Sequence, residues 1–210
     1  MGLRAVVFDF GMVLTGAPDA QAHAQLVRIT GLDAERFESF YWTDRHAYDE
    51  GKLTGLGFWH KLVRDAGLNL PESAIEELNR WDARMWTTFD PAMLAWQQQV
   101  KESGYLTAIL SNMGDSVLES IEREFQWLKN FDTLVWSFQL GVAKPDPAIY
   151  RHTLKQLGTD AAETLFIDDK PANVEAARAL GMEALVYTGM TELRYDLLAQ
   201  GYSPGLPLPE

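Results

Sequence analysis

The chain has 210 residues, a formal net charge of −12 and no cysteine. Without cysteine there is no disulfide framework, no thiolate metal site and no thiolate nucleophile, so a hydrolase here must attack with another atom. The acidic balance argues against binding a nucleic-acid backbone, which calls for a net basic surface, and no apolar run reaches the roughly 20 residues that span a bilayer.

Length and a 47% hydrophobic share fit a soluble globular domain with a small second one. The first apolar run, Arg4–Phe10 (RAVVFDF), is interrupted by Asp9, and no small-residue cleavage site follows it. It reads as a buried strand rather than a signal peptide, which leaves a cytoplasmic address as the default. Roughly 75 residues without a strand pattern come next, too many for a loop. They carry helical patterns at Ala20–Thr30, Ala34–Glu50, Gly57–Ala66 and Ala74–Thr87, and four of the seven tryptophans: Trp42, Trp59, Trp81 and Trp86. This predicts an all-helical domain over residues 16–89, its tryptophans packing a small core or, for one or two of them, lining a substrate pocket. From Pro91 onward helices and strands alternate: helix Pro91–Ser103, strand Leu106–Asn112, helix Asp115–Phe125, strand Thr133–Ser137, helix Pro147–Leu157, strand Thr164–Asp169, helix Ala172–Leu180, strand Glu183–Thr188. Gly104, Gly158 and Gly181 close helices ahead of the next strand, as a C-cap does. The pattern predicts an α/β fold, a Rossmann-like doubly wound parallel sheet built from residues 1–15 and 90–210, with strands one and four side by side. The Gly- and Pro-rich end, Gly201–Glu210, is expected to be extended or mobile.

Ligands of open α/β sheets bind beyond the carboxyl ends of the strands. That rim collects Asp9 after strand one, Ser111 and Asn112 at the end of strand two, Lys144 in GVAKPDP after strand three, and Asp168 and Asp169 at the end of strand four. Carboxylates gathered without histidine or thiolate call for a hard cation with oxygen ligands, Mg²⁺. Ser111 and Lys144 offer a hydroxyl and an ammonium to phosphate oxygens. A carboxylate beside the metal is a candidate nucleophile, since carboxylates form aspartyl-phosphate intermediates. There is no GxSxG elbow and no Walker-type phosphate loop, which disfavours a serine hydrolase and excludes triphosphate hydrolysis on that scaffold.

At these residues the chain resembles the haloacid dehalogenase-like hydrolase superfamily. The motifs VVFDFGMVL, ILSN, GVAKPDPAIY and FIDDKPANVEAARALGM stand in order across nearly the whole chain. The helical insertion looks like the cap of the subfamily that includes phosphoglycolate phosphatase, β-phosphoglucomutase and the 2-haloacid dehalogenases. The resemblance implies that Asp9 is the nucleophile, Ser111 the phosphate-binding hydroxyl and Lys144 the lysine that steadies both. It implies Asp168 and Asp169 as metal-binding acids alongside Asp9, and makes Asn112, in the LSN form of the second motif, a substrate contact beside Ser111 and Lys144. Asn173 falls where many relatives keep a further acid. The second aspartate of the family's first motif, its general acid and base, is Gly11 here; a backbone carbonyl is left to bind the metal.

The loss at Gly11 opens two alternatives, a 2-haloacid dehalogenase, whose halide leaves without a proton, and a catalytically weak phosphate-ligand binder. The Asp168-Asp169 pair, which the dehalogenases do not keep, favours a Mg²⁺-dependent phosphatase acting on a small phosphate monoester such as a sugar phosphate. The FDxGxV form looks closest to the branch that includes α-D-glucose-1-phosphate phosphatase. The implied partner is a small phosphorylated metabolite, with no nucleic acid and no membrane, and the protein acts as a monomer or a homodimer. Without an acid at position 11, leaving groups that depart easily are favoured unless the insertion supplies the proton. His46, beside Arg45 in TDRHAYDEG, is the candidate for that, and both are candidate substrate contacts; the plainer reading places them on the surface of a helix.

Overall fold

The first strand, β1 (Ala5–Phe8), is buried at all four positions, which requires cover on both faces of the sheet. Alternate residues serve opposite faces. In the computed structural model, which describes residues 2–202 and 205–209, Val6 and Phe8 pack into one apolar layer and Ala5 and Val7 into another. Around β1 stand β2 (Leu106–Ser111), β3 (Thr133–Trp136), β4 (Thr164–Asp168) and β5 (Glu183–Val186), all pairs parallel, in the order β3-β2-β1-β4-β5. Strands one and four are therefore neighbours, and the order reverses between them.

One face is covered by α6 (Pro91–Glu102), α7 (Asp115–Glu124) and α11 (Met190–Ala199), with Trp96 at its centre. The other is covered by α9 (Pro147–Leu157) and α10 (Pro171–Ala179), through Ile149, Tyr150, Val174 and Ala177. A four-residue helix, α8 (Ser137–Leu140), follows β3 directly. The start signals are chemical: Asp90 and Asp146 cap α6 and α9 through their side chains, each followed by a proline that lacks the orphan N–H.

Between β1 and α6 lies the helical insertion: α1 (Ala20–Thr30), α2 (Ala34–Thr43), α3 (Arg45–Asp49), α4 (Gly55–Asp65) and α5 (Glu72–Met85). It has its own apolar cluster, with Leu26, Phe37, Tyr41, Phe58, Trp59 and Leu78 out of contact with water. The single helix expected over Ala34–Glu50 is two. It breaks at Asp44, whose carboxylate takes Lys61 Nζ at 2.6 Å while Thr43 Oγ1 turns back to the Ser39 carbonyl. Such side-chain bonds compete with the helical ladder.

The insertion meets the core along a seam of close backbone approaches. Gly55 N donates to Asp115 Oδ1 at 2.9 Å. The Ser137 hydroxyl accepts from Met113 N at 2.9 Å and donates to the Asp49 carbonyl. Gly114 lies under the Tyr48 ring, where a Cβ would fall 2.1 Å from ring carbons.

Near the C-terminus one helix is added to the expected elements and one expectation is corrected. Helix α11 carries no strong sequence signal, because its N-cap is Gly189 and only Leu193 and Leu197 are buried. The tail lacks regular structure as expected, yet it is pinned: Leu206 is buried, Trp96 Nε1 donates to the Pro207 carbonyl at 2.8 Å and Arg194 to the Pro209 carbonyl at 2.7 Å. Residues 203, 204 and 210 of that stretch lie outside the described residues. Among the described residues no helix is long and apolar enough to cross a membrane.

Candidate active site

The chain leaves β1 at Asp9, whose N–H still reaches the Ile167 carbonyl of β4 at 2.8 Å. It then folds into a tight turn, Phe10–Leu14, closed by Thr15 N on the Phe10 carbonyl. Asp9 Oδ1 accepts from Phe10 N at 2.7 Å, and Met12 sits in the left-handed region at φ 62°, its N–H on Thr15 Oγ1 at 3.1 Å. A methionine held there is strained, and such strain is tolerated where surrounding bonds over-determine the turn. Gly11 beside it has ordinary φ and ψ, and a Cβ there would meet nothing within 4 Å.

Lys144 is the centre of the site. Its side chain is 1% exposed, and Nζ lies 2.8 Å from Asp9 Oδ1 and 2.6 Å from Asp168 Oδ2. Its backbone is gripped on both sides by Asn112, which donates to the Lys144 carbonyl at 2.9 Å and accepts from Lys144 N at 2.7 Å. Asn112 is therefore a positioning residue for the lysine loop. Asn173, read from the sequence as a missing acid, donates to both oxygens of Asp168 at 2.9 and 3.0 Å, and Lys170 N adds a third donor at 2.8 Å. Ser111, buried at the end of β2, makes only a long 3.5 Å contact to the Asn112 carbonyl, so its hydroxyl is available to a ligand.

Asp9, Asp168 and Asp169 bring carboxylate oxygens within 4.8 Å of one another. One ammonium cannot neutralise them. Burial first, partly offset by Lys144 and reinforced by Asp168, pushes the Asp9 carboxyl up to about 7. Burial and Asp168 likewise raise Asp169. Burial works against the Lys144 ammonium, but Asp9 and Asp168 outweigh it and hold its pKa above the ordinary lysine value. The donor set is all oxygen, with Asp9 and Asp168 buried and Asp169 half-buried, which fits a hard divalent cation such as Mg²⁺.

These groups open into a cavity of about 250 Å³. Asp9, Gly11, Ser111, Asn112, Lys144 and Asp169 line it from the core, and so does Lys170, which the sequence marks only as a solvated lysine. From the insertion come Pro18, Trp42, Arg45, Asp49 and Trp86. Trp42 and Trp86 are thus the pocket tryptophans, whereas Trp59 is buried core and Trp81 packs partly against it.

The surface placement expected for Arg45 is corrected. It is buried, with Nη1 on Asp82 at 3.0 and 3.2 Å and Nε on Asp49 Oδ1 at 3.2 Å, among the rings of Tyr41, Tyr48 and Trp86. Its charge is spent inside the insertion rather than held out to a ligand. His46 is exposed, its Nε2 3.3 Å from Glu50, and it does not line the cavity. Successive residues on a helix point about 100° apart, so Arg45 inward sends His46 outward. Asp49 and Trp86 carry no motif signal. Only the i, i+4 spacing of Asp49 from the inward Arg45 places it on the same helix face.

The chain matches the family of haloacid dehalogenase-like hydrolases over residues 3–181. It is 32% identical over 188 residues to the sesquiterpene phosphatase astK of Aspergillus oryzae, covering 88% of this chain and 90% of that one. It is 31% identical over 192 residues to phosphatase MT3486 of Mycobacterium tuberculosis, covering 88% and 87%. In fold it is similar to a haloacid dehalogenase family enzyme of Bacteroides thetaiotaomicron, solved as a complex with magnesium and inorganic phosphate, with a TM-score of 0.72 at 21% identity over 88% of this chain and 94% of that one. Sheet order, the carboxylates at the strand ends and the match over residues 3–181 agree, and the chain belongs to the haloacid dehalogenase-like hydrolase family.

Proposed function

We propose that the protein is a Mg²⁺-dependent phosphatase that hydrolyses a small phosphate monoester through an aspartyl-phosphate on Asp9. The observation that carries this reading is Lys144 shared between Asp9 and Asp168, with the Asp169 carboxylate alongside. Two relatives that match nearly the whole chain are named phosphatases. Asp9, Asp169 and the Gly11 carbonyl would hold the metal, with Asp168 behind them. When bound, Mg²⁺ supplies the positive charge that lets a phosphate dianion approach a carboxylate.

The chain's own residues then divide the work. The Asp9 oxygen not held by Lys144 attacks phosphorus, the ester oxygen leaves, and water releases phosphate from the acyl phosphate. Lys144 and the Ser111 hydroxyl donate to the phosphoryl oxygens as charge gathers there. Asn112 and Asn173 keep the lysine and Asp168 in register. Residues 16–89 act as a cap whose closure excludes water and chooses the substrate.

The walls narrow the substrate class. Phe10, Met12, Pro18, Trp42, Trp86, Met113 and Val117 line the cavity, and the two charged cap groups, Arg45 and Asp49, are paired to each other. A leaving group with an apolar face fits these walls better than a fully hydroxylated one, in line with the name of the sesquiterpene phosphatase relative. The test is phosphate release from a panel of prenyl, aryl and sugar phosphates, with Mg²⁺ and with a chelator. Turnover is expected only with the metal and is lost in Asp9→Asn. Chelator-resistant turnover, or halide release from 2-haloacids in its place, overturns the reading.

A further inference from the structure

Gly11 leaves the site without the acid that would protonate a departing alcohol, and the exposed His46 is not its replacement. The ionisable groups that line the cavity are Asp9, Arg45, Asp49, Lys144, Asp169 and Lys170. Asp9 is paired with Lys144, Asp169 stands beside Asp9 as a proposed metal ligand, and a guanidinium keeps its proton throughout the working range of pH. Of the carboxyl groups, that leaves Asp49, which comes from the cap side of the cavity rather than the nucleophile's side.

We propose that Asp49 is the general acid and base of this enzyme, reaching the leaving-group oxygen from the cap. The inference rests on the phosphatase reading above. Three observations carry it. First, Asp49 is fixed to the core although it belongs to the insertion: its carbonyl accepts from the Ser137 hydroxyl, which itself accepts from Met113 N, two residues beyond Ser111. Second, only one of its carboxylate oxygens is committed, Oδ1 to Arg45 Nε at 3.2 Å; among the described residues Oδ2 accepts no hydrogen bond. Third, the charges around it leave it able to hold a proton. Arg45 faces it from its own helix, Asp82 from α5 and Lys170 from the turn before α10, and across the cavity lies the acidic trio with Lys144. Burial opposes ionisation more than Arg45 and Lys170 favour it, and Asp82 adds to burial, so the carboxyl is held above the usual range.

The steps balance. Asp9 forms a bond to phosphorus as the P–O bond to the alcohol breaks; the ester oxygen takes that electron pair and the Asp49 proton and leaves as the neutral alcohol. Asp49, now a carboxylate, takes a proton from the water that attacks the phosphorus of the acyl phosphate. The P–O bond to Asp9 breaks, Asp9 recovers its electron pair, and Asp49 is again protonated. The net reaction is ester plus water to alcohol plus phosphate.

The test is Asp49→Asn, whose side-chain oxygen still accepts from Arg45, compared with the unaltered enzyme on p-nitrophenyl phosphate and on a simple alkyl phosphate with Mg²⁺ present. Nitrophenolate departs without a proton, so the variant is expected to give a burst of about one nitrophenolate per enzyme and then a slow steady state. The alkyl ester is expected to give no burst, and the alkyl-to-aryl ratio of first-step rates to fall about 10²–10⁴-fold. Equal proportional losses on both esters, with no burst, overturn the proposal and assign Asp49 to structure. A second measurement needs no variant: in the unaltered enzyme the alkyl ester is expected to show an alkaline fall in kcat/KM that the aryl ester lacks, and identical profiles overturn the proposal. If the unaltered enzyme hydrolyses neither ester, it is the phosphatase reading that fails.

Discussion

Lys144 serves two carboxylates at once, and its removal would strand both in a site that water scarcely reaches. Lys144→Met is expected to lower kcat by at least about 10²-fold, the usual cost of one charged donor to a developing oxyanion. It should also destabilise the fold by about 3–5 kcal/mol at pH 8, because breaking a buried pair leaves charge uncompensated. Urea unfolding at pH 8 and pH 5 checks the second part: the loss shrinks at the lower pH, where Asp9 is already protonated. Asn112→Ala acts one step back. It removes both hydrogen bonds on the Lys144 backbone, and kcat is expected to fall with little change in KM, since the lysine remains but its position is lost. Steady-state kinetics on one ester separate the two. Asp9, Ser111 and the two acids at β4 were legible in the sequence because the strands that carry them are legible, and a residue at a strand's carboxyl end has one place to go; Lys144, in the loop after α8, was legible only through its GVAKPDP motif. Asn173 reads as a missing acid because its partner, Asp168, is fixed only in three dimensions. Asp49 was invisible for the same reason: its route to the site runs through Ser137, 88 residues away.

Between elements, the consequential contact is the seam of α3 and α4 against α7 and α8. It is built from groups that allow close approach: Gly55 against Ser116, Gly114 under Tyr48, and Gly51, at φ 72°, against the Phe138 carbonyl. Gly114→Ala keeps an allowed backbone (φ −87°, ψ 168°) but drives a methyl into the Tyr48 ring. The expected cost is about 1–3 kcal/mol of overpacking, with KM for the ester raised as the cap shifts; thermal melts and steady-state kinetics read the two effects. The helices of the core were legible where capping chemistry marks them, as Asp-Pro does for α6 and α9. The α2–α3 break was not, because it depends on Lys61 reaching Asp44 from another helix and on Arg45 reaching Asp82 on a third. Tertiary bonds there override a continuous helical pattern.

For the whole molecule, the raised carboxyls of the site have a defined sign of effect on stability. Asp9 holds its proton up to about pH 7 in the fold, against an ordinary value of 3.8 in the open chain. Asp49 and Asp169 are raised in the same direction. Between those limits the folded state keeps protons that the unfolded state has lost, so stability contributed at low pH is lost as pH rises through the folded values. The depressed carboxyls, Glu50, Asp65, Asp132 and Glu163, act in the opposite sense but only at acid pH, as they lose their charge below the ordinary carboxylate range. Across pH 5.5 to 8 the raised Asp9 carboxyl contributes a falling slope. With a chelator present the melting temperature is therefore expected to fall over that interval, by about 2–4 °C for each kcal/mol lost. Mg²⁺ should raise it more at pH 8, where Asp9 is ionised and draws the cation, than at pH 5.5, where a proton on Asp9 competes. Asp9→Asn removes the charge that burial opposes, so the variant should melt higher than the unaltered protein at pH 8 in chelator, and gain less from Mg²⁺. A melting temperature that rises with pH in chelator, or a variant that melts lower at pH 8, would show that the trio is already balanced by the charges around it and has no need of a metal.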